Sequence, residues 1–109
     1  FKPHRWFRVD GRDLLLDVPL APWEAALGAA VNVPTPQGTV ELGVPAGAKA
    51  GTKLRLKGRG LPGQPPGDLY AVLAIVLPPA DSAARKDAYR ALSQVFDFDP
   101  RSAFSKGNT

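Results

Sequence analysis

A small, mainly β two-layer sandwich with one short helix, followed by a C-terminal amphipathic α-helix, is the fold this sequence predicts. Three observations carry the prediction. Apolar residues recur at alternate positions in short runs through the first two-thirds of the chain. Eleven glycines and twelve prolines in 109 residues punctuate those runs. After Pro78-Pro79 the apolar period lengthens to that of a helix. The expected organisation is a β-sandwich domain over residues 1–80, a helix over 81–98 and a flexible tail over 99–109.

The elements follow in order. Trp6 to Val9 and Leu14 to Leu20 read as two strands of a hairpin, with Asp10-Gly11 as the turn signal. Pro22 suits the first position of a short helix, Ala25, Ala26 and Leu27 favour its continuation, and Gly28 stops it. Alternation returns in Ala29–Pro34, where Val31 and Val33 share a face. Pro34 to Gly38 supplies a turn, and Val40, Leu42 and Val44 share a face of the next strand. "KLRLK" alternates again, and "GRGLPGQPPG" is a loop by its glycines and prolines. Asp68 to Leu77 is apolar at both parities, the pattern of a strand covered on both sides or open to a partner. Asp81 or Ser82 is placed to cap the last helix. Its stripe is Ala84, Ala88, Leu92 and Val95, flanked by Tyr89 and Phe96. The tail holds one sticky residue, Phe104.

Composition narrows the chemistry. There is no cysteine, so disulfides, thiolate metal sites and a cysteine nucleophile are excluded. A single histidine, His4, rules out a histidine metal cluster and leaves no oriented base for a hydrolytic triad. The expectation is a protein that is not an enzyme and has no cofactor or metal. No apolar run is long enough to span a membrane as a helix. The chain opens on "FKPHRWF" and has no methionine, which reads as a piece of a longer protein.

The net charge is +4, and its distribution is uneven. Between Glu41 and Asp68 lie five of the fourteen bases and none of the ten acids. Four of those bases, Lys53, Arg55, Lys57 and Arg59, fall on alternate positions. On a strand they form one stripe about 20 Å long, at ~3.3 Å per residue. Three or four phosphate contacts are feasible on that scale. No aromatics interleave, so single-strand stacking recognition is disfavoured and binding by charge without base readout is the expectation. The other reading is a solvated strand face that discourages edge-to-edge aggregation. Both stay open at this level. The aliphatic excess of Leu14–Leu20, Ala29–Pro34 and Asp68–Leu77 is either all core or partly the floor of a groove for extended apolar peptide.

"VPLAPWEAALGAAVNVPTPQG", "VPAGAKAGTKLRLKGRGLP" and "GDLYAVLAIVLP", in that order, resemble the second C-terminal domain of the DnaJ co-chaperone family. "HRWFRVDGRDL" is similar to the linker between that family's two C-terminal domains. "LAPWEAALGA" and "FDPRSAFSKGN" are most similar to a branch of the family that also binds DNA as a nucleoid component. The resemblance implies a β-sandwich followed by a dimerisation helix, hence a homodimer through Ala88, Tyr89, Leu92, Val95 and Phe96. It implies unfolded client polypeptides as partners. A DnaK-type chaperone is implied through parts of the longer family proteins outside these residues. A peptide groove, carried over from the sister domain, falls on Leu16, Val18, Val31, Val33 and Tyr70. The setting implied is the cytoplasm or its nucleoid. The alternative function is DNA binding through the basic strand; a further one is a structural dimer clamp.

Overall fold

The computed structural model describes residues 6–106. The chain divides between Leu77 and Pro78 into two compact units, each described by itself.

The first unit is built from two sheets. Strands β1 (Phe7–Asp10) and β2 (Asp13–Leu20) form the expected hairpin. Its tight turn is Gly11-Arg12, flanked by the paired Asp10 and Asp13. Gly11 has φ +62°, and no residue other than glycine has positive φ among those described. A left-handed first position followed by an ordinary second one is the II′ hairpin pattern, which glycine makes accessible. Helix α1 (Pro22–Leu27) follows at once, with Pro22 in its first turn. The Ala21 N–H donates to Glu24 Oε1 at 2.9 Å, one half of a capping box whose other half Ala21 has no oxygen to supply.

Strands β3 (Ala29–Thr35) and β4 (Gly38–Val44) make a two-stranded antiparallel sheet. Thr35 is buried at their turn; its hydroxyl donates to the Gly38 carbonyl at 2.6 Å and accepts the Gln37 N–H at 3.2 Å. Strands β5 (Lys53–Leu56) and β6 (Leu69–Ile75) join the larger sheet, whose order is β1-β2-β6-β5. All its pairings are antiparallel except β2 with β6, which is parallel.

The core lies between the sheets. Leu14, Leu16, Val18 and Leu20 of β2 and Leu69, Ala71 and Leu73 of β6 meet Val33, Leu42 and Val44 of the small sheet, with Ala25 of α1 beside them. Burying each fully enclosed leucine contributes roughly 2 kcal/mol of hydrophobic stabilisation. Of the two patterns expected for β6, coverage on both sides is not the one found. Leu69, Ala71 and Leu73 are buried, whereas Tyr70, Val72 and Ala74 on the opposite face are half-buried and Ile75 is exposed.

Between β5 and β6 the expected glycine-proline loop is tied to the first hairpin turn. The Leu61 N–H donates to the Arg12 carbonyl at 3.1 Å, and the Gly67 N–H donates to the Leu61 carbonyl at 2.9 Å. The Gly60 N–H donates to the Gly67 carbonyl at 2.9 Å. Gly67 is buried against the Arg12 carbonyl so closely that a Cβ there would overlap it.

The second unit holds helix α2 (Ala83–Val95). Ser82 is its N-cap and accepts the Arg85 N–H at 3.2 Å. Exposed ion pairs Arg85–Asp81 and Arg90–Asp87 decorate its polar side. Beyond α2 lies a 3₁₀ turn, Ser102–Lys106. It starts locally: Asp99 Oδ1 accepts the Arg101 N–H at 3.0 Å, and its carbonyl accepts the Ser102 N–H at 3.3 Å.

Candidate functional site

Four of the five residues expected to bind peptide come together. Leu16, Val18, Val31 and Val33 line a groove of about 550 Å³ in the first unit, the size of a ligand pocket. Leu16, Val18 and Val33 are buried and form its floor. Val31 is half-buried. Trp6, half exposed, contributes a large ring, and Asn32, Asp17, Pro19, Pro34 and Ala74 complete the lining.

Tyr70 does not reach this groove. Its register neighbours are Leu15 on β2 and Arg55 on β5, on the face of the sheet that points away from the core. Position along β6 decides this: Ala74, on the same face, reaches the groove beside Pro19, whereas Tyr70 lies four residues earlier beside Leu15.

The backbone explains why a groove opens here. The β1–β2 ladder stops at Phe7 and Leu16. Among the described residues, 18–20 therefore have β6 on one side and no ladder on the other. The Leu14 N–H bonds to the Asp68 carbonyl and the Leu20 carbonyl accepts the Val76 N–H, so the even-numbered groups of β2 serve β6. Pro19 turns the opposite way, toward the open edge. Among the described residues, strand β3 pairs only with β4. Thr35 and Gly38 close a two-residue turn, which makes them a hydrogen-bonded pair. Ala30, Asn32 and Pro34 then direct their backbone groups to the unpaired edge of β3. Each edge carries a proline that offers a carbonyl and no donor, a device that limits indiscriminate strand pairing. Prolines inside strand-like runs are the sequence signal for these edges.

The basic segment is less regular than an unbroken stripe. All four cations are exposed, but β5 ends at Leu56. Gly58, with φ +75°, turns the chain, and the Arg59 N–H folds back to the Leu56 carbonyl at 3.3 Å. Only Lys53 and Arg55 lie on the strand. Arg55 is engaged: its Nε sits 2.7 Å from Asp68 Oδ2. The other oxygen, Oδ1, accepts the Gly58 N–H at 2.9 Å, and the Asp68 N–H donates to Asp13 Oδ1 at 2.8 Å. The Gly58 N–H holds the Asp68 carboxyl below its ordinary pKa, more than partial desolvation raises it, and Arg55 and Lys57 act in the same direction as Gly58.

In the second unit, Tyr89, Leu92 and Phe96 line a surface groove of about 380 Å³ with Ser93 and Phe98. The Tyr89 hydroxyl donates to the Pro78 carbonyl. Ala88 and Val95 lie on the neighbouring stripe of the helix and do not line this groove. No residue of α2 is buried, and Leu92, Val95 and Phe96 are 50%, 77% and 61% exposed. Phe98, beyond the expected stripe, is the contributor that helical spacing alone misses. His4 lies outside the described residues. Among those described, no helix is long and apolar enough to cross a membrane.

Known proteins share this pattern. The DnaJ C terminal domain matches residues 1–78. The Curved DNA-binding protein of Coxiella burnetii (strain RSA 493 / Nine Mile phase I) is 48% identical over 99 residues, 91% of this chain and 32% of that protein. That of Pseudomonas putida (strain W619) is 44% identical over 106 residues, 95% of this chain and 33% of that protein. The Curved DNA-binding protein of Escherichia fergusonii is 47% identical over 106 residues, 95% of this chain and 35% of that protein. The chain thus spans about a third of the length of these relatives. With a two-sheet core and a family match covering that whole sandwich, this chain belongs to the DnaJ C terminal domain family.

Proposed function

We propose that this chain is the client-holding and dimer-forming part of a DnaJ-like co-chaperone. One observation carries the reading: an apolar groove floored by Leu16, Val18 and Val33 lies between two strand edges that are unpaired among the described residues. An extended, aliphatic segment of unfolded polypeptide fits that chemistry. Its side chains fill the groove while its N–H groups meet strand-edge carbonyls. Helix α2 supplies the second function. Its exposed stripe becomes buried against the same stripe of a second copy, in the isologous manner of two-fold dimers. Two grooves on one particle raise the effective concentration for any client long enough to reach both. The organisation follows as a sandwich over residues 1–80, a dimerisation helix over 81–98 and a tail over 99–109. A DnaK-type chaperone is engaged through parts of the longer protein, in the cytoplasm.

Val31 is the residue to change, because it borders the groove without being fully buried. Val31→Asp is expected to weaken binding of a fluorescently labelled aliphatic peptide about tenfold, the loss of roughly 1.4 kcal/mol of apolar contact. The anisotropy titration is read beside a thermal melt. Equal affinity from a folded variant would remove the groove from the account.

A second reading is favoured by two observations: the name the relatives carry and the exposed cations around β5. In it, Lys53, Lys57 and Arg59 contact the phosphates of duplex DNA without reading bases, and the protein works at the nucleoid.

A further inference from the structure

Resting on that second reading, we infer that Arg55 and Asp68 are a positioning pair for the DNA-facing cations Lys53, Lys57 and Arg59, and that Arg55 adds no net charge to that set. The contacts divide the four bases into two kinds. The Asp68 side chain is only 14% exposed and bonds to Arg55 Nε. Pulling the guanidinium away toward a phosphate would leave a largely buried carboxylate without its cation. The same carboxylate receives the Gly58 N–H, and Gly58 stands between Lys57 and Arg59. One acid therefore anchors the end of β5 and the turn that carries the next two bases. Asp13, at the hairpin turn, holds the Asp68 N–H in place from the other side. Lys57 acts on Asp68 through its charge alone, and Lys53, Lys57 and Arg59 are all exposed.

The positioning role and simple charge counting differ in sign at Asp68. Asp68→Ala raises the net charge by one, which by Coulomb attraction alone strengthens DNA binding. As a positioning residue, its loss instead frees the turn and weakens binding. The measurement is fluorescence anisotropy of a labelled duplex titrated with the 109-residue chain across a series of NaCl concentrations. Lys57→Ala or Arg59→Ala is expected to weaken binding roughly eightfold at 0.1 M salt and to lower the log–log salt slope by about 0.9 per bound protomer. Asp68→Ala is expected to weaken binding by a comparable factor.

Two further variants guard against a folding defect, with thermal melts recorded for each. Asp68→Asn keeps an acceptor for the Gly58 N–H and is expected to bind at least as tightly as the parent. Arg55→Gln with Asp68→Asn leaves net charge unchanged and is expected to keep the parent salt slope. Tighter binding by Asp68→Ala, or a slope reduced by about 0.9 in the double variant, would overturn the proposal. The DNA reading fails separately, and takes the proposal with it, if replacing Lys53, Lys57 and Arg59 together by alanine leaves duplex binding unchanged.

Discussion

Replacing Leu92 and Phe96 together by aspartate is expected to convert the chain from dimer to monomer at micromolar concentration. Both side chains line the groove on α2, and they are 50% and 61% exposed in the single chain. Neither is buried in its own protomer, so the helix itself should persist. In a two-fold interface each change occurs twice. Four lost apolar contacts at about 2 kcal/mol each come to roughly 8 kcal/mol, on the order of 10⁶-fold in the dimer constant. The new carboxylates add like-charge repulsion across the axis. Sedimentation velocity reads the result directly, with far-UV circular dichroism as the check on helix content. A dimer that survives both substitutions would place the contact elsewhere.

The second large effect is on stability. Gly67→Ala is expected to lower stability by about 3 kcal/mol, seen as a melting temperature lower by roughly 10 °C or more. The added Cβ would collide with the carbonyl of Arg12, a backbone atom that cannot swing aside as the end of a side chain can. If Arg12 moves, its hydrogen bond from Leu61 is lost, and with it the link that ties the β5–β6 loop to the first hairpin. If Gly67 moves, its own bonds to Leu61 and Gly60 are strained. Gly43 is the matched control: it sits in β4, where an added Cβ would meet nothing within 4 Å. Gly43→Ala should change the melting temperature by no more than a few degrees. Similar melts for the two variants would contradict the packing described for the loop.

Much of this architecture is legible in local pattern. The period-2 runs around Leu14–Leu20, Val40–Val44 and Leu54–Leu56 become strands because one side of each meets a common core. Ser82 caps α2 because its hydroxyl can reach Arg85. What local pattern cannot supply is who pairs with whom. The parallel pairing of β2 with β6 joins residues more than fifty positions apart, and it determines which edge of β2 faces away from β6. The partner of Arg55 is likewise invisible in a run of alternating bases, since Asp68 arrives from beyond a glycine-proline loop. Tyr70 shows the same limit: it pairs with Leu15, four residues before the Ala74 that lines the groove beside Pro19, and a position carried over from a sister domain does not give that register. Pro19 and Pro34 hold a further signal: prolines within strand-like runs mark unpaired edges, and here two such edges border one groove.

The claim on which the rest depends is that the groove between those edges receives extended apolar polypeptide. Two-dimensional ¹H–¹⁵N spectra of the chain, titrated with an aliphatic peptide, test it most directly. Shifts are expected to concentrate at Val18, Val31, Asn32 and Val33, with the Trp6 indole moving alongside and Tyr70 unaffected. Saturable shifts that avoid β2 and β3, or centre on Tyr70 and the outer face of β6, would contradict it.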